Sequence, residues 1–186
     1  MTAGMITTLE TPRLILRGVQ PHDAPALQTH VNDYEVIRWL NPLVPWPYPD
    51  NGAAAFIKTV LPHQGQGRWV WTILRKSHPG EAVGIVDLRA GAGCNRGFWL
   101  ARALWGQGLM SEATTAVTAH AFTVLGFERL RFDNATGNTR SRRVKEKAGA
   151  TLLYVEPARF VDPDLHAQEV WELTFTAWST FRCSHR

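Results

Sequence analysis

Two glycines one residue apart, Gly106 and Gly108, stand between a short apolar strand candidate at 97–100 and the longest helical run of the chain, at 109–125. Within that run Leu109, Ala113, Ala116, Val117, Ala121, Val124 and Leu125 recur at helical intervals, and Gly126 supplies the stop. The chain must therefore pass from strand to helix across Trp105-Gly106-Gln107-Gly108. The first amides there, at 106–110, find no carbonyl partners inside the helix. Two missing side chains let an anion approach those amides, and the helix dipole adds roughly half a positive charge at that end. The spacing reads either as a pyrophosphate-binding loop or as a tight strand-to-helix turn. It is not a P-loop, because no Gly-Lys-Ser/Thr follows. Nor is it the dinucleotide fingerprint, because no glycine stands three beyond Gly108.

The remaining chain supplies strands and helices for one sheet. Strands are expected at 11–19, 68–74, 82–89, 129–134, 151–155 and 169–176, from alternation and β-branched or aromatic content between turn residues. Ser77-His78-Pro79-Gly80 is the expected turn of an antiparallel pair. Helices are expected at 21–31, at 53–61 behind an Asp50 cap and before Pro62, and at 139–148 before Gly149. The pattern is α+β.

At 186 residues and 45% apolar content, a single domain over 1–186 is expected, and no linker or internal repeat divides it. No window reaches the roughly 18 apolar residues of a membrane span, and the amino terminus is not built like a signal peptide, so a soluble, cytoplasmic chain is expected. Cys94 and Cys183 are far apart and fit no metal pattern, and the seven histidines show no His-x-x-x-His spacing, so neither disulfide nor metal is expected. The net charge of +4 concentrates between Arg129 and Lys147, which suits one local anion site better than a nucleic-acid groove.

The string Leu104-Trp105-Gly106-Gln107-Gly108-Leu109-Met110-Ser111-Glu112-Ala113 resembles the pyrophosphate loop of the GNAT acetyltransferase superfamily. It looks like the corresponding stretch of the branch of RimJ/RimL-like ribosomal-protein alanine N-acetyltransferases, although Ala103 replaces the family's first loop residue. Thr11 to Arg17 matches that branch's Thr-x-Arg-Leu-x-Leu-Arg opening. Pro47, Tyr48, Ala53, Phe56 and Ile57 match a second element, and Asn138 with Ser141 a third. The resemblance covers roughly 9–176. It implies a mixed, mostly antiparallel sheet of about six to seven strands flanked by helices and splayed between the fourth and fifth, with the cofactor arm in the opening.

It also implies acetyl-CoA as cofactor, held by Trp99, Leu100, Leu104, Trp105, Gly106, Gln107, Gly108, Leu109 and Met110. Asn138 and Ser141 share a helical face toward the same arm, although Asn138 also suits a helix cap. Arg140 and Arg143 are the cations expected at its phosphates. Glu112, in the first helical turn, is read as structural. The amine attacks the thioester directly, the Leu100 amide steadies the oxyanion, and Ser141 donates a proton to the leaving thiolate. Asn95 and Arg96 stand where relatives often have an acid, and Phe98 replaces a frequent tyrosine. Asp87 and Glu35 are alternatives for a base, beside purely structural roles, and none is assigned.

Trp39, Trp46 and Tyr48 are expected to shape the acceptor pocket. The acceptor is expected to be a protein α-amine, with a small amine or antibiotic second, and a homodimer is allowed. A non-catalytic acyl-CoA sensor and a basic nucleic-acid-binding module are the readings from other classes.

Overall fold

The structure is a computed structural model describing residues 6–184. Strands β1 (Leu9–Glu10), β2 (Leu14–Gly18), β3 (Arg68–Arg75), β4 (His78–Arg89) and β5 (Arg96–Leu100) form an antiparallel sheet in chain order. Between β2 and β3 lie α1 (Ala24–Val31), α2 (Tyr34–Ile37) and α3 (Gly52–Val60). After β5 come α4 (Leu109–Thr123), β6 (Arg129–Ala135), α5 (Thr139–Lys147), β7 (Thr151–Pro157), β8 (Ala167–Thr174) and α6 (Phe175–Ser184). The last three strands make a second antiparallel sheet, ordered β6-β8-β7.

The expected α+β class holds, but the single sheet of six to seven strands is two sheets of five and three among the described residues. The two-residue β1 is the added strand, so the opening lies between the fifth and sixth strands of this chain. Asn95 ties the sheets together at that point. Buried Asn95 donates its backbone N–H to Arg131 O (2.8 Å), and its Oδ1 accepts from Arg131 N (2.7 Å). Its Nδ2 donates to Arg89 O and Gly91 O, both at 3.0 Å. Beyond this pin β5 has no ladder partner on its outer edge.

Helices α1 and α3 cover one face of the first sheet, where Leu27, Ala53, Ile57 and Val60 meet Val70, Leu74, Ala82 and Ile85. Helix α4 covers the other, its Leu109, Ala113, Val117 and Ala121 packing on Leu16, Trp71, Ile73 and Val86, with Phe132 and Trp171 of the second sheet closing the same core. A buried aliphatic side chain contributes about 1.5–3 kcal/mol, so this face dominates the stability of α4.

Several boundaries differ for local reasons. The turn between β3 and β4 is at Lys76 and Ser77, and Pro79 and Gly80 lie inside β4, where the register slips between Ile73 and Arg75. Asp50 does not cap α3. Asn51 stands at the cap position, and the Ala53 N–H is taken instead by Gln28 Oε1 of α1 at 2.9 Å. Helix α4 ends at Thr123, leaving Val124 64% exposed and outside the core expected for it. Phe175 and Thr176 belong to α6, not to a strand: Thr174 Oγ1 accepts from Ala177 N, and Phe175 and Trp178 pack on the Phe122 ring.

Candidate functional site

Where the sheets part, a cleft of about 690 Å³ runs from the loop after β5, along the β5 edge, to the α2–α3 loop. Gly106 and Gly108 adopt φ of 78° and 77°, a left-handed conformation that side chains other than glycine strain to reach. A Cβ on Gly106 would meet no atom within 4 Å, so conformation and not crowding requires glycine there. The N–H groups of residues 106–111 have no protein acceptor among the described residues, and the first helical bond is Glu112 N to Gly108 O. They form a ready anion cradle at the amino terminus of α4.

Contacts from three sides fix this loop. Trp105 Nε1 donates to Leu100 O (2.8 Å), and the Arg140 guanidinium lies 4.1 Å over the Trp105 ring. Arg13 Nη1 donates to Gln107 O (3.0 Å). Glu112 accepts from Thr11 Oγ1 (2.6 Å), Arg13 N (2.9 Å) and Arg13 Nε (2.7 Å). Although partial burial raises its pKa, these bonds hold the Glu112 carboxyl below its ordinary range. Its structural reading fits this geometry.

The β5 edge presents amides to the cleft. Ala101 N bonds Val83 O, Arg89 N bonds Asn95 O, and Gly97 and Trp99 pair with Asp87 and Ile85. Antiparallel bonds alternate along a strand, so the N–H groups of Phe98 and Leu100 point off the sheet, into the opening. Leu100 is the amide expected in that place; Phe98 joins it, because strand pairing and not side-chain type decides which amides face outward.

On the opposite wall, Asn138 Oδ1 caps α5 by accepting from Ser141 N (3.1 Å), while Asn138 also lines the cleft. Arg140, Ser141 and Arg143 line the cleft too, whereas Arg142 is engaged by Glu146 and Glu169. Ser141 Oγ accepts from Lys145 Nζ at 2.8 Å. Lys145 is 1% exposed, and burial together with the nearby Arg96 cation pulls its pKa down to about 7. Arg96 is itself buried and bonds Thr118 Oγ1 through Nη1, its ring-facing side lying over Phe132. Burial lowers its pKa to about 10. Of the cations on α5, Lys145 is thus interior.

At the acceptor end the structure brings Trp39, Tyr48 and Asp87 to the cleft, with Leu40, Val44 and Phe56. Tyr48 is seated against Gly52, where any Cβ would come within 2.6 Å of its ring. Trp46 is not on the cleft wall; it packs against Tyr34 (5.3 Å). Glu35 is also outside, 3.6 Å from Arg38. Asp87 is clamped by Arg68 through Nε (3.2 Å) and Nη2 (2.8 Å). Sequence reading missed Asp133, half-buried on the wall two residues past the Asn95 pin and without an ion pair among the described residues. Only the pairing of β6 with Asn95 reveals it. Burial, with Asp133 beside it, pushes the Cys94 thiol up to about 11, so it stays protonated and a poor nucleophile.

A model of the acetyltransferase (GNAT) domain matches residues 13–151. The chain belongs to the GNAT acetyltransferase family. As a GNAT acetyltransferase it is 29% identical over 150 residues, 78% of its length and 83% of the relative's, to the uncharacterized N-acetyltransferase YoaA of Bacillus subtilis (strain 168). Its fold is similar to RimL, a ribosomal L7/L12 alpha-N-protein acetyltransferase solved with coenzyme A, at TM-score 0.78 and 21% identity over 92% of this chain and 99% of that one. It is similar also to Mycobacterium smegmatis RimJ in complex with CoA-disulfide, at TM-score 0.79 and 18% identity over 99% and 96%.

This GNAT enzyme uses acetyl-CoA, and its residues fit that group: the amides at 106–111 are free to receive phosphate oxygens, and Arg140 and Arg143 line the same cleft. Among the described residues no helix is long and apolar enough to cross a membrane, and no group of three or more His, Cys, Asp or Glu side chains could hold a metal.

Proposed function

We propose that this acetyltransferase modifies the α-amine at a polypeptide amino terminus, in the cytoplasm, by direct attack within a ternary complex. The observation that carries the reading is the single continuous cleft. It joins the amide cradle to an apolar rim of Trp39, Leu43 and Tyr48, past an edge strand whose free amides stand between them. The similarity to RimL, named for α-N-protein acetylation, supports the same acceptor class.

Bound acetyl-CoA supplies a thioester carbonyl open to a neutral amine. The N–H groups of residues 106–111, with Arg140 and Arg143, hold the diphosphate end. Phe98 and Leu100 direct their amides at the carbonyl oxygen as negative charge develops there. An α-amine titrates near 7.7–8.0 and a lysine near 10.4, so an α-amine needs little help in losing its proton. Asp133 is the better-placed acceptor of that proton, through water, because Arg68 already engages Asp87. The protonated Cys94 leaves no activated thiol for a covalent acetyl-enzyme. Ser141 gives its hydroxyl proton to the departing sulfur.

The test is a product-identifying screen: acetyl-CoA with free-amino-terminus peptides, amino-terminally blocked lysine peptides, small amines and aminoglycosides, read by mass spectrometry. Acetate on peptide α-amines is expected. Transfer only to small amines would overturn the acceptor class, and binding without thiol release from any of them would make the chain a sensor.

A further inference from the structure

We infer that Lys145 is a positioning residue that turns the Ser141 hydroxyl toward the leaving sulfur and restores its proton. The inference rests on the transfer reading above and adds a residue to it. Lys145 and Ser141 are one helical turn apart on α5, and Nζ lies 2.8 Å from Oγ and 3.4 Å from the Ser141 carbonyl. Lys145 is fully buried, and no carboxylate lies within ion-pair distance among the described residues. A buried amine whose nearest polar contacts are a serine's hydroxyl and carbonyl is costly to keep charged, so a structural role alone would be better filled by an apolar residue.

Protonated, Lys145 has only donors. It must then give its hydrogen to Oγ, which leaves the Ser141 O–H free to point into the cleft. Deprotonated, its lone pair competes for that same hydrogen and draws it inward. The charged form is therefore the competent one.

When the C–S bond breaks, its electron pair goes to sulfur and the Ser141 proton follows. Lys145 Nζ passes a proton to Oγ, and the proton that the attacking nitrogen releases to water in the cleft returns to the buried Nζ through the Ser141 hydroxyl, so the exchange balances. The groups facing Lys145 are Arg96 from β5, Cys94 from the loop before it, Asp133 from β6 and Glu169 from β8. Arg96 opposes its charge and the two carboxylates favour it, the net with burial placing its titration near neutrality.

Two measurements test this. The Lys145 ¹³Cε resonance, assigned by its absence in Lys145→Met, is followed against pH in the wild-type chain and in Ser141→Ala. A midpoint near neutrality that moves in Ser141→Ala is expected. A midpoint at the ordinary lysine value, about 10.4, or one indifferent to Ser141, overturns the inference.

Thiol release is then measured with an acceptor amine that stays neutral over the whole pH range. The wild-type rate falls as pH rises through the Lys145 midpoint. Lys145→Met lowers kcat about tenfold and flattens that limb while the KM for acetyl-CoA stays put, a modest effect because a thiol of pKa about 8.5 leaves tolerably well unaided. Ser141→Ala combined with Lys145→Met loses no more than Ser141→Ala alone. A profile unchanged in Lys145→Met, additive losses, or a rate that climbs as Lys145 deprotonates would sink the relay while transfer stands. A chain that binds acetyl-CoA yet releases no thiol with any amine sinks both.

Discussion

Gly108 shows how one residue can be legible in sequence and still be settled by tertiary geometry. Its φ of 77° costs a side chain about 1–2 kcal/mol, and a Cβ there would stand 3.6 Å from Arg13 Nη2, an ordinary contact. Gly108→Ala is therefore expected to lose about that much stability in thermal unfolding. The free variant relaxes out of that torsion and CoA binding must restore it, so calorimetry should show affinity weakened about tenfold, about 1.4 kcal/mol being a factor of ten. Undiminished affinity would mean that the loop does not hold the diphosphate. Ser141→Ala predicts the opposite division: CoA affinity retained and turnover slowed about tenfold but not abolished, given the thiol's leaving ability. Complete loss of turnover with intact binding would assign Ser141 a larger role. Glycine spacing made the first residue readable, and motif position the second. Lys145 was unreadable, because Arg140-Ser141-Arg142-Arg143-Val144-Lys145 has the look of a solvated helical face, and nothing in that string says which cation turns inward.

Among elements, the link between α4 and the β1–β2 hairpin rests largely on Glu112. Three hydrogen bonds from Thr11 and Arg13 converge on it, and Arg13 reaches on to the Gln107 carbonyl. Glu112→Ala should cost about 1.5–3 kcal/mol, the range for bonds to a charged group, trimmed because the Arg13 side chain is half-exposed. The loop would lose its tether, so weaker CoA binding should accompany the loss. The sign of the pH effect follows from the depressed carboxyl. Its contribution is complete above the unfolded value of about 4.3 and disappears as pH falls through the lower folded value. Denaturant titrations of wild type and Glu112→Gln at neutral and acidic pH should converge at the acidic end; a gap that persists there would show that the carboxylate charge is not what matters. Helix periodicity located α4 and α5 well. It missed α6, whose first two residues, Phe175 and Thr176, were expected to end the last strand, while Phe175 and Trp178 in fact pack on Phe122.

For the molecule as a whole, the two sheets share a core on α4 and are hydrogen-bonded to each other at Asn95. Asn95 supplies one acceptor and two donor bonds from its side chain to Arg131, Arg89 and Gly91, all at the point where the sheets diverge. Asn95→Ala leaves those backbone groups unmatched, at a cost of about 3 kcal/mol, and frees β6 to shift against β5. Chemical denaturation should record the loss, and the KM for acetyl-CoA should rise several-fold. A stable variant with unchanged KM would show that the core, not the junction, sets the opening. Asn95 looked from its position like an absent acid; its work is architectural.

The sequence by itself determined the anion loop, the long helix behind it and the family, because glycine torsion, missing helical acceptors and apolar period are local properties that neighbours along the chain dictate. Only the tertiary structure decided where the sheet divides, which arginines on α5 face the cleft and which meet carboxylates, and that Lys145 is buried against Ser141. Those outcomes depend on burial and on bonds between residues far apart in the chain, such as Asn95 with Arg131 and Thr11 with Glu112, for which no spacing rule exists.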